Sequence, residues 1–441
     1  MAKTPYPFQE EAIELGLERN LLLNDECGLG KKLTMLEVAR RRRATLHLPT
    51  LVVTVKRDTL QWKREILEQD PTIPVVVGIS MGPLWVPEVP DWWLILHYEA
   101  LVRHIKGLAR VKFGTVILDE GHHIKSWQAQ RTKAAKKLRA QRKLVGTGTP
   151  MDRTPADLWS QLEFLYPEVY RGTRRAFCNT HERWFIDTAG YRRTLPGVKS
   201  STALSATLAP FTLNRTKLDV APQLPPNIEK TVVIELTGPQ ATLYRRIQHA
   251  QDIIVTDESL QDPIMVGTAL AQMVREQQAA LDPTLLGSTA ESAKLEWLRD
   301  WREANPDERT LIFTNYRHVA EKLARTYDAH LIMGGVPLPE HWTKPTVVAT
   351  IKAAGEALDL GTYTTTIFLD GNHSQLRMTQ AINRTDRLNK VGPTETIYLI
   401  AHNTVDELIQ ASWHDKWDRY TLLRRYIDWR HGASHPLATE R

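Results

Sequence analysis

A doubly wound α/β fold repeated in two lobes is the architecture this sequence predicts. Three observations carry that reading. Short apolar runs recur, bounded by turn or charged residues; helix-forming stretches separate them; and the alternation appears in both halves of the chain. Apolar runs this short suit strands buried on both faces of a parallel sheet, and strands alternating with helices build a doubly wound sheet.

In the first half the expected strands are residues 20–25 (NLLLND), 50–55 (TLVVTV), 92–98 (WWLILHY), 115–119 (TVILD) and 143–146 (KLVG). Helices are expected at 32–43 and 59–67, where straight-chain helix formers dominate. In the second half the strands are 310–314 (TLIFT), 330–333 (HLIM), 346–350 (TVVAT), 364–370 (TTTIFLD) and 396–401 (TIYLIA). Two helices, 239–252 and 261–280, are expected to project from the second lobe. A proline-richer polar stretch, about 167–226, ends in QLPPN and separates the halves. The expected domains are therefore 1–221, with a small helical insertion at about 167–212, and 222–441, with a helical protrusion at about 239–290.

Composition narrows the class. A chain of 441 residues exceeds one ordinary core, on a prior of roughly 100–200 residues per domain. A net charge of +6 suits a phosphate-bearing partner without requiring one. Cys27 and Cys178 are the only cysteines, too few for a disulfide framework or a cysteine metal site, as expected in a reducing cytoplasm. No apolar stretch approaches the roughly 18 residues of a membrane helix, so no membrane partner is expected.

The chemistry-bearing segments lie at expected strand ends. After the first strand comes Asp25-Glu26-Cys27-Gly28-Leu29-Gly30-Lys31-Lys32, and then a helix. Glycines let backbone N–H groups approach phosphates, the helix N-terminus favours an anion, and Lys31 would reach the outer phosphates. Two positions depart from a strict phosphate loop. Asp25 stands where the first glycine would be, and Lys32 stands where Ser or Thr would bind Mg²⁺. Thr34 is turned about 200° away on the helix and does not replace that hydroxyl. The fourth strand ends in Asp119-Glu120-Gly121-His122. Asp119 would hold Mg²⁺ and Glu120 would position the attacking water. Thr147-Gly148-Thr149-Pro150 follows the next strand. In the second half, Arg384 and Arg387 share one helical face, as two guanidiniums stabilising a transferring phosphoryl group would. Alone, the first two read equally well as a glycine turn and an acidic turn, and the arginine segment reads better as a solvated basic face. Their order and spacing join them.

In that order the segments resemble superfamily-two helicases, and within them the SWI/SNF-like DNA translocases. The resemblance runs from Pro7 to about Ile409. It is carried by YPFQEEAI, DECGLGKKLT, LVVTVKRDTLQWKREI, ILHYEAL, VILDEGHHIKS, GTGTPMDRTPADLWSQLEFLYP, the long LNRTKLDVAPQLPPNIEKTVVIELTGPQATLYRRI, TIKAAGEALDL and QAINRTDRLNKVG. The resemblance implies two RecA-like lobes. The first would supply Lys31, Asp119 and Glu120 to ATP and Mg²⁺, and the second Arg384 and Arg387. Gln9 would read adenine. Gly28, Leu29, Gly30, Lys31 and Lys32 would form the phosphate loop. His122, Thr147, Thr149 and Gln380 would couple hydrolysis to movement. Thr54, Lys56, Tyr98, Thr314, Thr350 and Lys352 would meet the nucleic-acid backbone.

The expected function is an ATP-dependent translocase on double-stranded DNA, acting as a monomer in the cytoplasm. The alternatives are a nucleic-acid-binding protein with an attenuated ATPase, which Lys32 motivates, and an RNA helicase. Arg40–Arg43 is expected to complement a helix C-terminus rather than line a DNA track. Residues 133–143 (KAAKKLRAQRK) are expected to be a solvated helical face.

Overall fold

Side chains of a strand point alternately to its two faces, so a continuous apolar run can fill two cores at once. The computed structural model shows this arrangement twice. It describes residues 4–78, 89–151, 154–186, 190–221, 225–249, 263–339, 341–354, 360–383, 392–415 and 419–430. The chain divides into two compact units, Met1–Pro222 and Gln223–Arg441.

The first unit is built on strands β1 (Leu21–Leu23), β2 (Thr50–Thr54), β3 (Val75–Gly78), β4 (Trp93–His97), β5 (Lys112–Asp119), β6 (Arg139–Gly146) and β9 (Thr212–Leu213). They form a parallel sheet in the order β3-β4-β2-β5-β6-β1-β9. Leu22, Val53, Leu94, Leu118 and Val145 fill one face, and Leu21, Val52, Ile95, Ile117 and Leu144 fill the other. A register slip of one residue would exchange these two sets, so both cores fix the pairing. The helices that matter to the site are α1 (Pro7–Glu18), α2 (Lys31–Leu46), α3 (Asp58–Gln69), α4 (Tyr98–Leu108), α5 (Gln130–Ala135) and α6 (Ala156–Leu165).

The second unit repeats the plan with β10 (Asn227–Ile234), β11 (Thr310–Thr314), β12 (His330–Ile332), β13 (Thr346–Thr350), β14 (Thr365–Phe368) and β15 (Thr394–Ala401). Their order is β10-β15-β14-β11-β13-β12, again parallel. Phe313, Val347, Phe368 and Tyr398 face one core, and Ile312, Val348, Ile367 and Leu399 face the other. Helices Gly238–His249 and Pro263–Leu281 lie near the expected positions.

Two expectations are corrected, and one strand is added. Residues 133–143 are helical only at the start; α5 ends at Ala135, and from Arg139 the chain is β6. Lys143 is buried there, its Nζ donating to the Phe164 carbonyl. The insertion expected to be helical also contains an antiparallel hairpin, β7 (Glu182–Ile186) with β8 (Arg192–Val198). The segment after QLPPN is not only a connection, because Asn227–Ile234 pairs along its whole length with β15. No described helix is long and apolar enough to cross a membrane.

A buried ion pair pins the second unit. Lys294, fully buried, donates to the Leu369 and Leu399 carbonyls and to Asp406 Oδ2 at 2.5 Å. Removing one partner of such a pair leaves the other charged and unsolvated. Lys294→Met is expected to lower unfolding stability by about 3–5 kcal/mol, read by urea denaturation. Adding Asp406→Asn should recover part of it; equal stability of Lys294→Met and wild type would show that the pair contributes nothing.

Candidate nucleotide site

In the first sheet β2, β5, β6 and β1 are consecutive neighbours, and their C-terminal ends lie along one edge. That edge of an open parallel sheet is where ligands bind. Thr54, Asp119-Glu120, the Thr147–Thr149 turn and the glycine loop are thereby brought together, although they lie far apart in sequence.

The loop from Asn24 to Gly30 is held from three sides. Gly28 and Gly30 have φ of 95° and 73°, the left-handed region that favours glycine. Gln9 on α1 spans the loop's end. Its Oε1 accepts from Tyr6 N at 2.9 Å, and its Nε2 donates to the Leu29 and Gly30 carbonyls at 3.0 and 3.3 Å. A Cβ on Gly30 would sit 2.4 Å from that Nε2, so the glycine also admits the glutamine. The side chain of Leu29 is buried, which leaves only its backbone facing the loop. At the loop's start, Arg215 makes a two-pronged pair with Asp25, Nη2–Oδ2 at 2.5 Å and Nε–Oδ1 at 3.1 Å. It also donates to the Phe8 carbonyl and lies over the Phe8 ring. Glu26 accepts from the Lys217 backbone N–H at 2.8 Å. Asp25 is thus part of the loop's frame, which accounts for an acid where a strict phosphate loop has glycine.

Lys31 opens α2. Its Nζ donates to the Asp25 and Glu26 carbonyls at 2.6 and 3.2 Å, folded back over the loop. Gly148 closes on the same place: a Cβ there would lie 2.6 Å from Cys27 Sγ and 3.6 Å from Lys31 Nζ. Thr147 donates its N–H to the Leu23 carbonyl, and its hydroxyl accepts from Thr149 N at 3.1 Å. Glycine at 148 thus lets the threonine turn close on the Cys27 and Lys31 side chains of the loop.

The acidic strand end is more enclosed than the sequence implied. Asp119 is 6% exposed, and its Oδ2 accepts from Thr54 Oγ1 at 3.0 Å and Trp62 Nε1 at 2.8 Å. Burial raises its pKa, which the Lys32 charge opposes and the Glu120 charge reinforces. Glu120 takes a left-handed backbone, φ 54°, costly for a residue with a Cβ and suited to a residue aimed by its surroundings. Its carboxylate lies 3.2 Å from His122 Nδ1. Tyr98 OH donates to the Asp119 carbonyl at 2.8 Å and stacks on His123, whose pKa burial and the His122 and Arg131 charges lower to about 4. Gly121 allows Val145 and Gln161 to approach, and Gln161 Nε2 donates to the Pro150 carbonyl, tying both turns to α6.

Lys32 does not reach into solvent. Its Nζ is 2.9 Å from Asp58 Oδ2 and 3.3 Å from Gln61 Oε1, and 5.9 Å from the Trp62 ring centre. Burial pulls its pKa down, but the Asp58, Asp119 and Glu65 charges outweigh this and hold the ammonium above its ordinary value. Burial pushes Asp58 up to about 6 against the pull of Lys32. The residues present do not fit Mg²⁺ in the usual way. The hydroxyl ligand is replaced by a cation, and Asp119 Oδ2 already accepts two hydrogen bonds.

Several expected nucleic-acid contacts are placed elsewhere. Thr54 is fully buried on Asp119 and Tyr98 is buried under the same strand end, so neither is at the surface where a phosphate would meet it. In the second unit Thr314 and Thr350 are register partners at adjacent strand ends and are also buried. Lys56 and Lys352 are exposed at strand ends and remain available to phosphates. Gln380 is buried on helix Gln375–Ile382. Arg384 and Arg387 lie outside the described residues. Arg40, Arg41 and Arg43, expected to complement a helix C-terminus, pair with acids of the first unit. Arg40 pairs with Glu37, Arg41 with Glu10 and Glu14, and Arg43 with Asp70 and Asp91.

Residues 12–285, more than half the chain, match the SNF2-related domain. The chain belongs to that family. Among curated relatives, an uncharacterized ATP-dependent helicase of Mycoplasma pneumoniae is 26% identical over 91% of this chain and 40% of that protein. SWI/SNF-related matrix-associated actin-dependent regulator of chromatin subfamily A member 1 of Mus musculus is 23% identical over 95% of this chain and 44% of its own length. The Drosophila melanogaster subfamily A-like protein 1 is 24% identical over 98% and 57%. The chain thus spans roughly half the length of these relatives. A solved Sulfolobus solfataricus SWI2/SNF2 ATPase core in complex with dsDNA aligns over 98% of this chain and 94% of that one, at 21% identity and a TM-score of 0.46.

Sequence reasoning missed Arg215, Asp58, Gln61 and Trp62 in this SNF2-related chain. Only the spacing of the last three, i, i+3 and i+4 on one helix face, was a signal in the sequence. The Arg215 pair has a direct test. Arg215→Ala strands the buried Asp25 carboxylate and is expected to cost the first unit about 3 kcal/mol or more. Asp25→Asn in the same chain should restore much of it. Denaturation curves showing no loss in the single variant would contradict the clamp.

Proposed function

We propose that this chain is an ATP-fuelled motor that tracks along double-stranded DNA. The observation that carries the reading is the convergence, on one sheet edge, of the glycine loop with Lys31, the Asp119-Glu120 strand end and the Thr147–Thr149 turn. Membership of the SNF2-related family supports it, as does the ATP-dependent helicase named among the relatives. Lys31 Nζ, now on two loop carbonyls, exchanges those bonds for phosphate oxygens. Glu120, held by its strained backbone beside His122, orients the attacking water. Gly148 brings the threonine turn against the loop, so a change at the phosphates is felt at Thr147 and Thr149. Arg384 and Arg387 stabilise charge on the transferring phosphoryl group. The net charge of +6 and the exposed Lys56 and Lys352 favour contacts to the phosphate backbone, which carry little sequence information.

A second reading, a nucleic-acid-binding protein with weakened hydrolysis, is favoured by one observation: Lys32 stands where a metal-binding hydroxyl would be.

The two readings separate in a hydrolysis assay with no nucleic acid, duplex DNA, single-stranded DNA or RNA. Duplex is expected to stimulate wild type most, with Lys31→Ala, Arg384→Ala and Arg387→Ala each reducing the stimulated rate by roughly 10³-fold. A wild-type rate on duplex no greater than that of Lys31→Ala would reject the motor. Stronger stimulation by RNA would move the substrate.

A further inference from the structure

We propose that Lys32 is a tethered cation that takes the place of a divalent metal in the phosphate loop, so that this chain binds nucleoside triphosphate without Mg²⁺. The inference rests on the reading of the loop as a nucleotide site.

The position comes first. Lys31 and Lys32 are the first two residues of α2, whose N-cap is Gly30. Backbone N–H groups of a first helical turn have no partner within the helix, and an anion drawn to them meets both side chains. A hydroxyl at Lys32 would be a metal ligand. An ammonium offers three donors and no lone pair, so it can meet a phosphate but cannot ligate a cation.

The aim of the side chain is fixed. Asp58, Gln61 and Trp62 come from one face of α3 and contact the Lys32 ammonium from carboxylate, amide and ring. The Lys32 side chain is 16% exposed and that of Asp58 is 4% exposed. A lysine at a surface would sample many rotamers; this one is held, and its ordering is completed when the protein folds rather than when nucleotide arrives.

The same helix face ties the cation to the acid. Trp62 lies under Lys32 and donates its indole N–H to Asp119 Oδ2, beside Thr54. The Asp119 and Asp58 charges both act on the Lys32 ammonium. The acidic strand end therefore carries its own counter-cation. Lys31 lies on the loop carbonyls and Lys32 on Asp58 and Gln61, so both ammonium groups at the start of α2 have fixed positions. A divalent ion added there would face Lys32 across a poorly screened gap.

The test measures the affinity of the full chain for a fluorescent ATP analogue, with Mg²⁺ and with EDTA. Wild type is expected to keep its Kd within about threefold on metal removal, and Lys32→Thr to lose about tenfold or more under EDTA. Lys32→Arg, which keeps the cation, should behave as wild type. Because Lys32→Thr leaves Asp58 buried without its partner, Lys32→Thr with Asp58→Asn serves as a second variant and should show the same metal dependence. Wild type losing affinity under EDTA as steeply as Lys32→Thr overturns the inference and leaves the nucleotide site standing. Absence of binding with or without metal, or binding indifferent to Lys31→Ala, overturns the nucleotide site and the inference together.

Discussion

Burial of the Asp119 carboxylate at the end of β5 is the constraint on which the functional edge of the first lobe depends. A buried carboxylate must be hydrogen-bonded and charge-compensated, or it costs several kcal/mol, roughly 3–5 when one partner of a buried pair is removed. Three elements meet that demand. β2 contributes the Thr54 hydroxyl, α3 the Trp62 indole, and the first turn of α2 the Lys32 charge. None can shift without stranding the acid. The parallel pairing of β2 with β5, the pitch of α3 against the sheet and the start of α2 are thereby linked through one side chain.

A second restraint acts at the start of the loop. Asp25 and Glu26 are held by Arg215 and Lys217, residues that follow β9 and lie about 190 positions later in the chain. Because β9 pairs in parallel with β1, the strand that enters the loop, the clamp and the sheet reinforce each other. Gln9 closes the remaining side. A loop framed at both ends costs little ordering when it meets an anion, which is a physical reason for an acid at a position where strict phosphate loops have glycine.

Much of this was legible in the sequence. β11 and β13 have the boundaries that apolar runs of β-branched residues predict, and the glycine loop, acidic strand end and threonine turn all sit at strand ends as their spacing implied. The failures have physical causes. β10 was missed although NIEKTVVI ends in an apolar run, because it follows the prolines of QLPPN and most of it is exposed rather than buried on both faces. Residues 133–143 carry helix-forming lysines, yet the C-terminal part of the segment extends β6 between β5 and β1, where tertiary pairing outweighs propensity. Thr54 and Tyr98 were expected to meet nucleic acid from the resemblance of their motifs. The pleat turns Thr54 inward and Tyr98 caps the acid from below, and direction is not encoded in residue type. The Arg215 clamp spans a sequence distance over which no local pattern operates.

Lys32 brings these restraints into one arrangement. Its substitution for a hydroxyl looks, in sequence, like damage to a metal site. In the structure it has a carboxylate, an amide and an indole face arranged around it, all from α3, and the indole is the same group that holds Asp119. A disabling change at an otherwise ordinary loop would leave the ammonium seeking solvent and Asp58 with no reason to be buried. Asp58 is instead 3% exposed; burial and the Asp119 and Glu120 charges raise its pKa, and the Lys32 ammonium opposes them. A buried acid of that kind is tolerable only with its partner present, so Lys32 and Asp58 require one another, and the loop is built around a positive charge supplied by the chain itself.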